Sequence, residues 1–129
     1  MSLTNAFETH TLQYLLTTDS LTRPTSWYIA LFTSDPTDTG SAGTEVSTDT
    51  GYARTAVTFT VSGDTASNSA AVEFSAASGG NWGTISHIGV MDASTGGNMI
   101  VHSALTTAKA INDGDVFRIP TGDLDITAA

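Results

Sequence analysis

The sequence contains no cysteine, and only four of its 129 residues are cationic: Arg23, Arg54, Lys109 and Arg118. Without thiols there is no disulfide framework and no thiolate metal site, and cysteine usage points to no redox compartment in either direction. Four cations against 13 Asp and Glu, for a net charge of −9, are too few to neutralise several phosphates at once. No nucleic-acid partner is therefore expected. Long apolar runs are also missing: no segment approaches the ~20 apolar residues of a membrane span. The first residues, MSLTNAFETH, have no basic residue ahead of an apolar run. A soluble, unprocessed chain is expected.

What is present is Thr, Ser, Gly and Ala, with 40% hydrophobic and only 13% charged residues. That mix suits strands and tight turns better than long surface helices, so a mostly β chain is expected. Its length suits one domain, 1–129, with a single core. One segment, residues 3–16, reads as a helix. Leu3, Ala6, Phe7, His10 and Tyr14 line one stripe, widened by Leu12, Leu15 and Leu16, and the stripe should pack on a sheet. Asn5 with Glu8 has the spacing of a capping box, and Ser2 or Thr4 would cap nearly as well.

Beyond the Arg23-Pro24 breaker, SWYIALFTSDP reads as a central strand. Residues 37–50 read as a long surface loop and a contact candidate. In GYARTAVTFTV the alternation puts Ala53, Val57, Phe59 and Val61 inward, with Tyr52, Arg54, Thr58 and Thr60 outward. AAVEFSA gives a shorter strand with Val72 and Phe74 inward. Two hairpins are then expected, TISHIGVMD to NMIVHSALT and TTAKAI to DVFRI, before a last strand DLDIT. Seven or eight short antiparallel strands with one N-terminal helix predict a β-sandwich or jelly-roll-like barrel. The predicted core is Trp27, Ile29, Leu31, Val57, Phe59, Phe74, Ile88, Val90 and Phe117. A one-residue slip in the SWYIALFTSDP strand would turn Tyr28, Ala30 and Phe32 inward instead.

His87 and His102 flank the turn of the first hairpin. Pairing Val90 with Met99 would set the two rings opposite each other, whereas pairing Val90 with Ile100 would set His87 opposite Ser103 and separate them. Even the first register supplies two ligands where zinc needs three or four protein ligands, so no metal site is expected. The acids in NDGD and GDLD could offer oxygen to calcium, but they sit where turns use carboxylates to satisfy backbone donors, and helix-loop-helix calcium spacing is absent. No serine lies in a Gly-x-Ser-x-Gly elbow, and no facing carboxylate pair can be placed, so no catalytic residue and no cofactor are expected. Arg54 is out of place among threonines. It pairs either with Glu45 or Glu73 in the same chain or with an acid across an interface.

The blocks WYIALFTSDP, GTEVS, GYARTAVTF, NWGTISHIGVMDASTGGNMIVHSALTTAKAINDGD and IPTGDLDIT resemble a family of short proteins encoded in the structural-gene regions of tailed bacteriophages. The likeness spans nearly the whole chain. Its members are variously labelled tail fibre, head fibre or structural protein, and the resemblance implies a virion component without a catalytic motif. The expectation is a non-enzymatic appendage or decoration subunit that self-associates, with a trimer favoured, and attaches to other phage structural proteins. Tyr28, Tyr52, Arg54 and Trp82 are the candidate interface residues. The alternative is a host-glycan-binding module that uses Trp82 or Trp27 as a stacking platform.

Overall fold

Short apolar phases separated by glycine-bearing turns give many brief strands, and the one long hairpin gives the sheet that organises them. In the computed structural model, which describes residues 1–128, the chain forms β1 (Ser2–Leu3), α1 (Asn5–Leu16), β2 (Tyr28–Phe32), β3 (Thr55–Ala56), β4 (Phe59–Ser62), β5 (Thr65–Asn68), β6 (Val72–Glu73), β7 (Gly83–Met91), β8 (Met99–Ile111), β9 (Arg118–Ile119) and β10 (Asp125–Thr127). A five-stranded sheet runs β1-β8-β7-β2-β3, a three-stranded sheet runs β10-β5-β4, and β6 pairs with β9. All of these ladders are antiparallel. The class is the expected one, mostly β and antiparallel with a helix near the N-terminus. The strands of the described residues outnumber the expected seven or eight because β1 and β5 lie outside every expected strand and the stretch 51–61 divides into β3 and β4, while two expected strands merge into β8.

The main core joins the inner face of the large sheet, Ile29, Leu31, Ile85, Ile88, Val90 and Val101, to Val72, Phe74, Phe117, Ile119 and Leu124 from the smaller sheets and their connections. At its centre Tyr52 stacks on Phe74 with ring centroids 6.1 Å apart, while Trp82 meets Tyr52 edge-on at 5.5 Å and Phe117 meets Phe74 edge-on at 5.7 Å. Such offset and edge-to-face pairs add to the burial of large rings. Seven of the nine predicted core residues are buried, and Trp27 and Phe59 are half-buried at the margin. Ile29 and Leu31 point into the main core as expected, but Ala30 and Phe32 are buried too, in a smaller cluster with Met91 and Met99 on the other face of the sheet. A strand covered on both faces has no polar phase, which is why its sequence runs apolar without alternation.

Three expectations are corrected. First, the stretch 51–61 is not one strand: β3 belongs to the large sheet and β4 to the three-stranded one. The chain changes sheets at Val57-Thr58, where Val57 N–H donates to the Trp27 carbonyl and Ser69 N–H to that of Thr58, so the inward phase resets. Tyr52 is buried, whereas Ala53 is exposed and Val61 remains 74% exposed. Second, the separate hairpin of TTAKAI with DVFRI does not form. β8 continues to Ile111 against β7, absorbing Leu105 to Ala108 opposite Ser86 as an irregularity between Ile85/Lys109 and His87/Ala104.

Third, the helix begins at Asn5, not Leu3, which lies in β1. Thr4 holds the N-cap position, but its hydroxyl donates to the Met99 carbonyl at 2.6 Å and caps nothing. No helix residue is buried, against the expected packing on a sheet. The apolar residues fall on two sides of the helix, not one. Phe7, His10 and Tyr14 lie about half a turn from Leu12 and Leu16 at ~100° per residue.

Candidate interaction surface

Arg54 sits just before β3, and the loop of residues 33–46 brings Glu45 to it. That loop is less free than its composition suggests. Thr33 N–H donates to the Thr44 carbonyl and Val46 N–H to that of Leu31, so the loop returns as an edge segment beside β2, with Val46 buried. Gly43 permits the return. Its φ is +79°, and a Cβ there would lie 2.8 Å from the Ser34 and Asp35 carbonyl oxygens.

Arg54 holds Glu45 with its planar fork, Nε to Oε1 at 2.8 Å and Nη2 to Oε2 at 2.9 Å. Its Nη1 donates to the carbonyls of Ala93 and Gly96 at 3.0 and 2.7 Å, clamping the β7–β8 turn. The Tyr52 hydroxyl donates to Glu45 Oε1 at 2.7 Å and accepts from Leu31 N–H at 3.0 Å. The phenol thereby satisfies an amide of β2 that lies between the β3 ladder and the Glu45 bridge. Burial pushes the Glu45 carboxyl upward, but the hydrogen bonds from Arg54 and Tyr52 outweigh it and hold the group below its ordinary value. Burial, with Glu45 alongside, raises the Tyr52 phenol, and the bond to Glu45 raises Arg54 further.

Two of the candidate interface residues, Tyr52 and Trp82, are therefore interior: Tyr52 is locked in the Glu45 network, and Trp82 donates from Nε1 to the Thr50 carbonyl at 2.8 Å. Arg54, with 10% of its side chain exposed, is spent on the intramolecular pair with Glu45. Tyr28 is half-buried, packed against the Ala30, Phe32, Met91 and Met99 cluster. The sequence hid the buried phenol because the phase reset at Val57 makes Tyr52 look like a neighbour of Arg54 on the wet face.

The histidines adopt neither expected register. Val90 pairs with Val101, which sets His87 against Ala104 and His102 against Gly89 on the same face of the sheet, diagonal to one another. The extra residue is Ile100, skipped where Met91 pairs with Met99. His102 Nε2 lies 2.8 Å from Asp38 Oδ1, and His87 lies 3.9 Å from Asp35 with its Nδ1 on Ser86 Oγ. Among the described residues no three His, Asp or Glu side chains gather as metal ligands. Two of the acids near the C-terminal turns are engaged within the chain. Asp115 accepts from Asn112 N–H at 2.9 Å, and Asp125 accepts from the Ser67 hydroxyl.

One polar residue escaped the sequence reading. Asn68, fully buried, donates from Nδ2 to the carbonyls of Ala70 and Pro120 and accepts from Leu124 N–H at Oδ1, tying the last turn to β5. Only its position at the end of a short Thr/Ser/Ala strand hinted at it.

The large apolar surface that remains open is on α1. Leu12, Tyr14, Leu15 and Leu16 are 59, 75, 67 and 77% exposed. Among the described residues no helix is long and apolar enough to cross a membrane.

Over residues 2–127 the chain matches the family described as podophage GP4 fiber I protein gp80. The chain belongs to this phage fibre family. No curated protein matches it.

Proposed function

We propose that the chain is a non-enzymatic structural subunit of an external fibre on a tailed phage particle, working as a homo-oligomer, a trimer being favoured, bound to other structural proteins of the virion. The observation that carries the reading is the family match over nearly the full length. Two features support it. The polar groups that stand out, Arg54, Glu45, Tyr52 and Asn68, are consumed in holding loops and turns in place, so they serve rigidity and not a reacting ligand. The apolar surface left open is a helix, the kind of element that docks against another protein surface. Host-glycan recognition is the weaker reading, because Trp82 has its ring in the core and its N–H engaged, and Trp27 is half-buried against that core.

The test is genetic and compositional. Particles from a host infected with a phage lacking this gene should package DNA yet lack one class of external appendage, and mass spectrometry of intact wild-type particles should find the chain at a constant copy number. Its absence from purified particles would overturn the proposal.

A further inference from the structure

We infer that α1 is the self-association element and that it works asymmetrically, the leucine side of one copy seating in the groove beside the helix of the next. The inference rests on the fibre-subunit reading and names its contact.

A surface helix in a lone domain needs one apolar stripe, and this helix has two. On one side Glu8, Leu12 and Leu15 follow at i, i+4 and i+7, with Leu16 adjoining. On the other, Phe7, His10 and Tyr14 face the segment that returns after the helix, forming with Leu21, Arg23 and Pro24 an open groove of about 310 Å³, which Leu15 also reaches. Neither side is fully covered: Phe7 and His10 are half-buried, but Tyr14 lines the groove and is 75% exposed, and exposure climbs along the leucine side from 59% at Leu12 to 77% at Leu16. The C-terminal turn of the helix is thus its least covered part.

Charge selects the occupant. Of the chain's 13 acidic residues only Glu8 lies in α1, on the leucine side, and the groove side carries Arg23, one of only four cations. Neither has an ion-pair partner among the described residues. Two bodies of charge −9 repel each other, and this helix is where they can approach with an acid facing a base. Each copy owns one leucine face and one groove. A partner of another kind would cover one and leave the other, whereas copies joined face-to-groove cover both, and such a heterologous contact closes as a ring when the rotation allows. The face is small, roughly a few hundred Å² against the ~800 Å² per partner of a standard stable interface. Association through it alone is therefore weak and concentration-dependent.

Sedimentation velocity from micromolar to millimolar concentration reads this directly. Wild type should pass from the 13.3 kDa chain to a closed oligomer. Leu12→Gln with Leu16→Gln should move the midpoint at least tenfold upward in concentration while the far-ultraviolet circular dichroism is unchanged, because both side chains are already exposed. Glu8→Arg and Arg23→Glu should each weaken association and the double variant should restore it, which a merely structural role would not produce. Val61→Gln, at an equally exposed apolar position on β4, should change nothing. Wild type that stays monomeric throughout overturns the inference, as does an oligomer indifferent to the leucine pair or to the charge swap. In either case the presence of the chain on particles still decides the fibre reading separately.

Discussion

Arg54 shows how far one side chain organises its surroundings. Removing it as Arg54→Ala leaves the Glu45 carboxylate without its fork and two turn carbonyls without a donor, so a loss of about 2–4 kcal/mol is expected in urea unfolding, below the buried-pair limit because the carboxylate keeps some solvent. Arg54→Lys keeps the charge without the fork and should recover only part of it. Glu45 has a lower pKa folded than unfolded, so its contribution is present in full above its ordinary value of 4.5 and fades as pH falls through the lower folded value. The stability gap between wild type and Glu45→Gln should accordingly be constant near neutrality and close on acidification below pH 4.5. A gap that widens in acid would contradict this assignment. Asn68→Leu should cost about 2–3 kcal/mol by stranding Leu124 N–H and the Ala70 and Pro120 carbonyls, measurable in the same unfolding experiment. Of these residues the sequence announced Arg54 alone, as a cation among threonines with Glu45 as one of two acids within the chain. The Tyr52 link and the Asn68 staple join positions many residues apart and leave no local pattern.

At the scale of elements, what was legible depended on whether a strand keeps one phase. The strand at 28–32 was readable as an unbroken apolar run bounded by Pro24 and Pro36, and the shorter strand around Val72 and Phe74 because those residues recur every second position and face one core. The stretch 51–61 misled because alternation cannot reveal a change of sheet, and β8 misled because its irregularity opposite Ser86 looks, in sequence, like a break between two hairpins. The helix was readable as a helix, but its two apolar sides look like one widened stripe until the rest of the chain shows what packs where. The loop that delivers Glu45 depends on Gly43, so Gly43→Ala, which meets both a positive φ and two carbonyl oxygens, should cost at least ~1 kcal/mol. It should also loosen hydrogen-exchange protection at Val46 and Leu31, whereas the same substitution at Gly63, where nothing lies within 4 Å, should be milder.

For the whole molecule, composition pointed to β structure, and the distinctive polar groups Arg54, Glu45, Tyr52 and Asn68 turn out to serve the fold. What remains for partners is the exposed, leucine-bearing helix, with Glu8 as its one acid, on an otherwise acidic chain. Such a distribution suits a rigid head carried on a docking element, as an appendage requires, and it fits membership of the fibre family. The most direct test of the fibre-subunit claim is a reconstruction of the intact particle by electron microscopy with this chain labelled. The expected result is label on an external projecting appendage, with several copies per appendage and their N-terminal helices gathered together. Label confined to the particle interior, or single copies with the helix facing solvent, would contradict it.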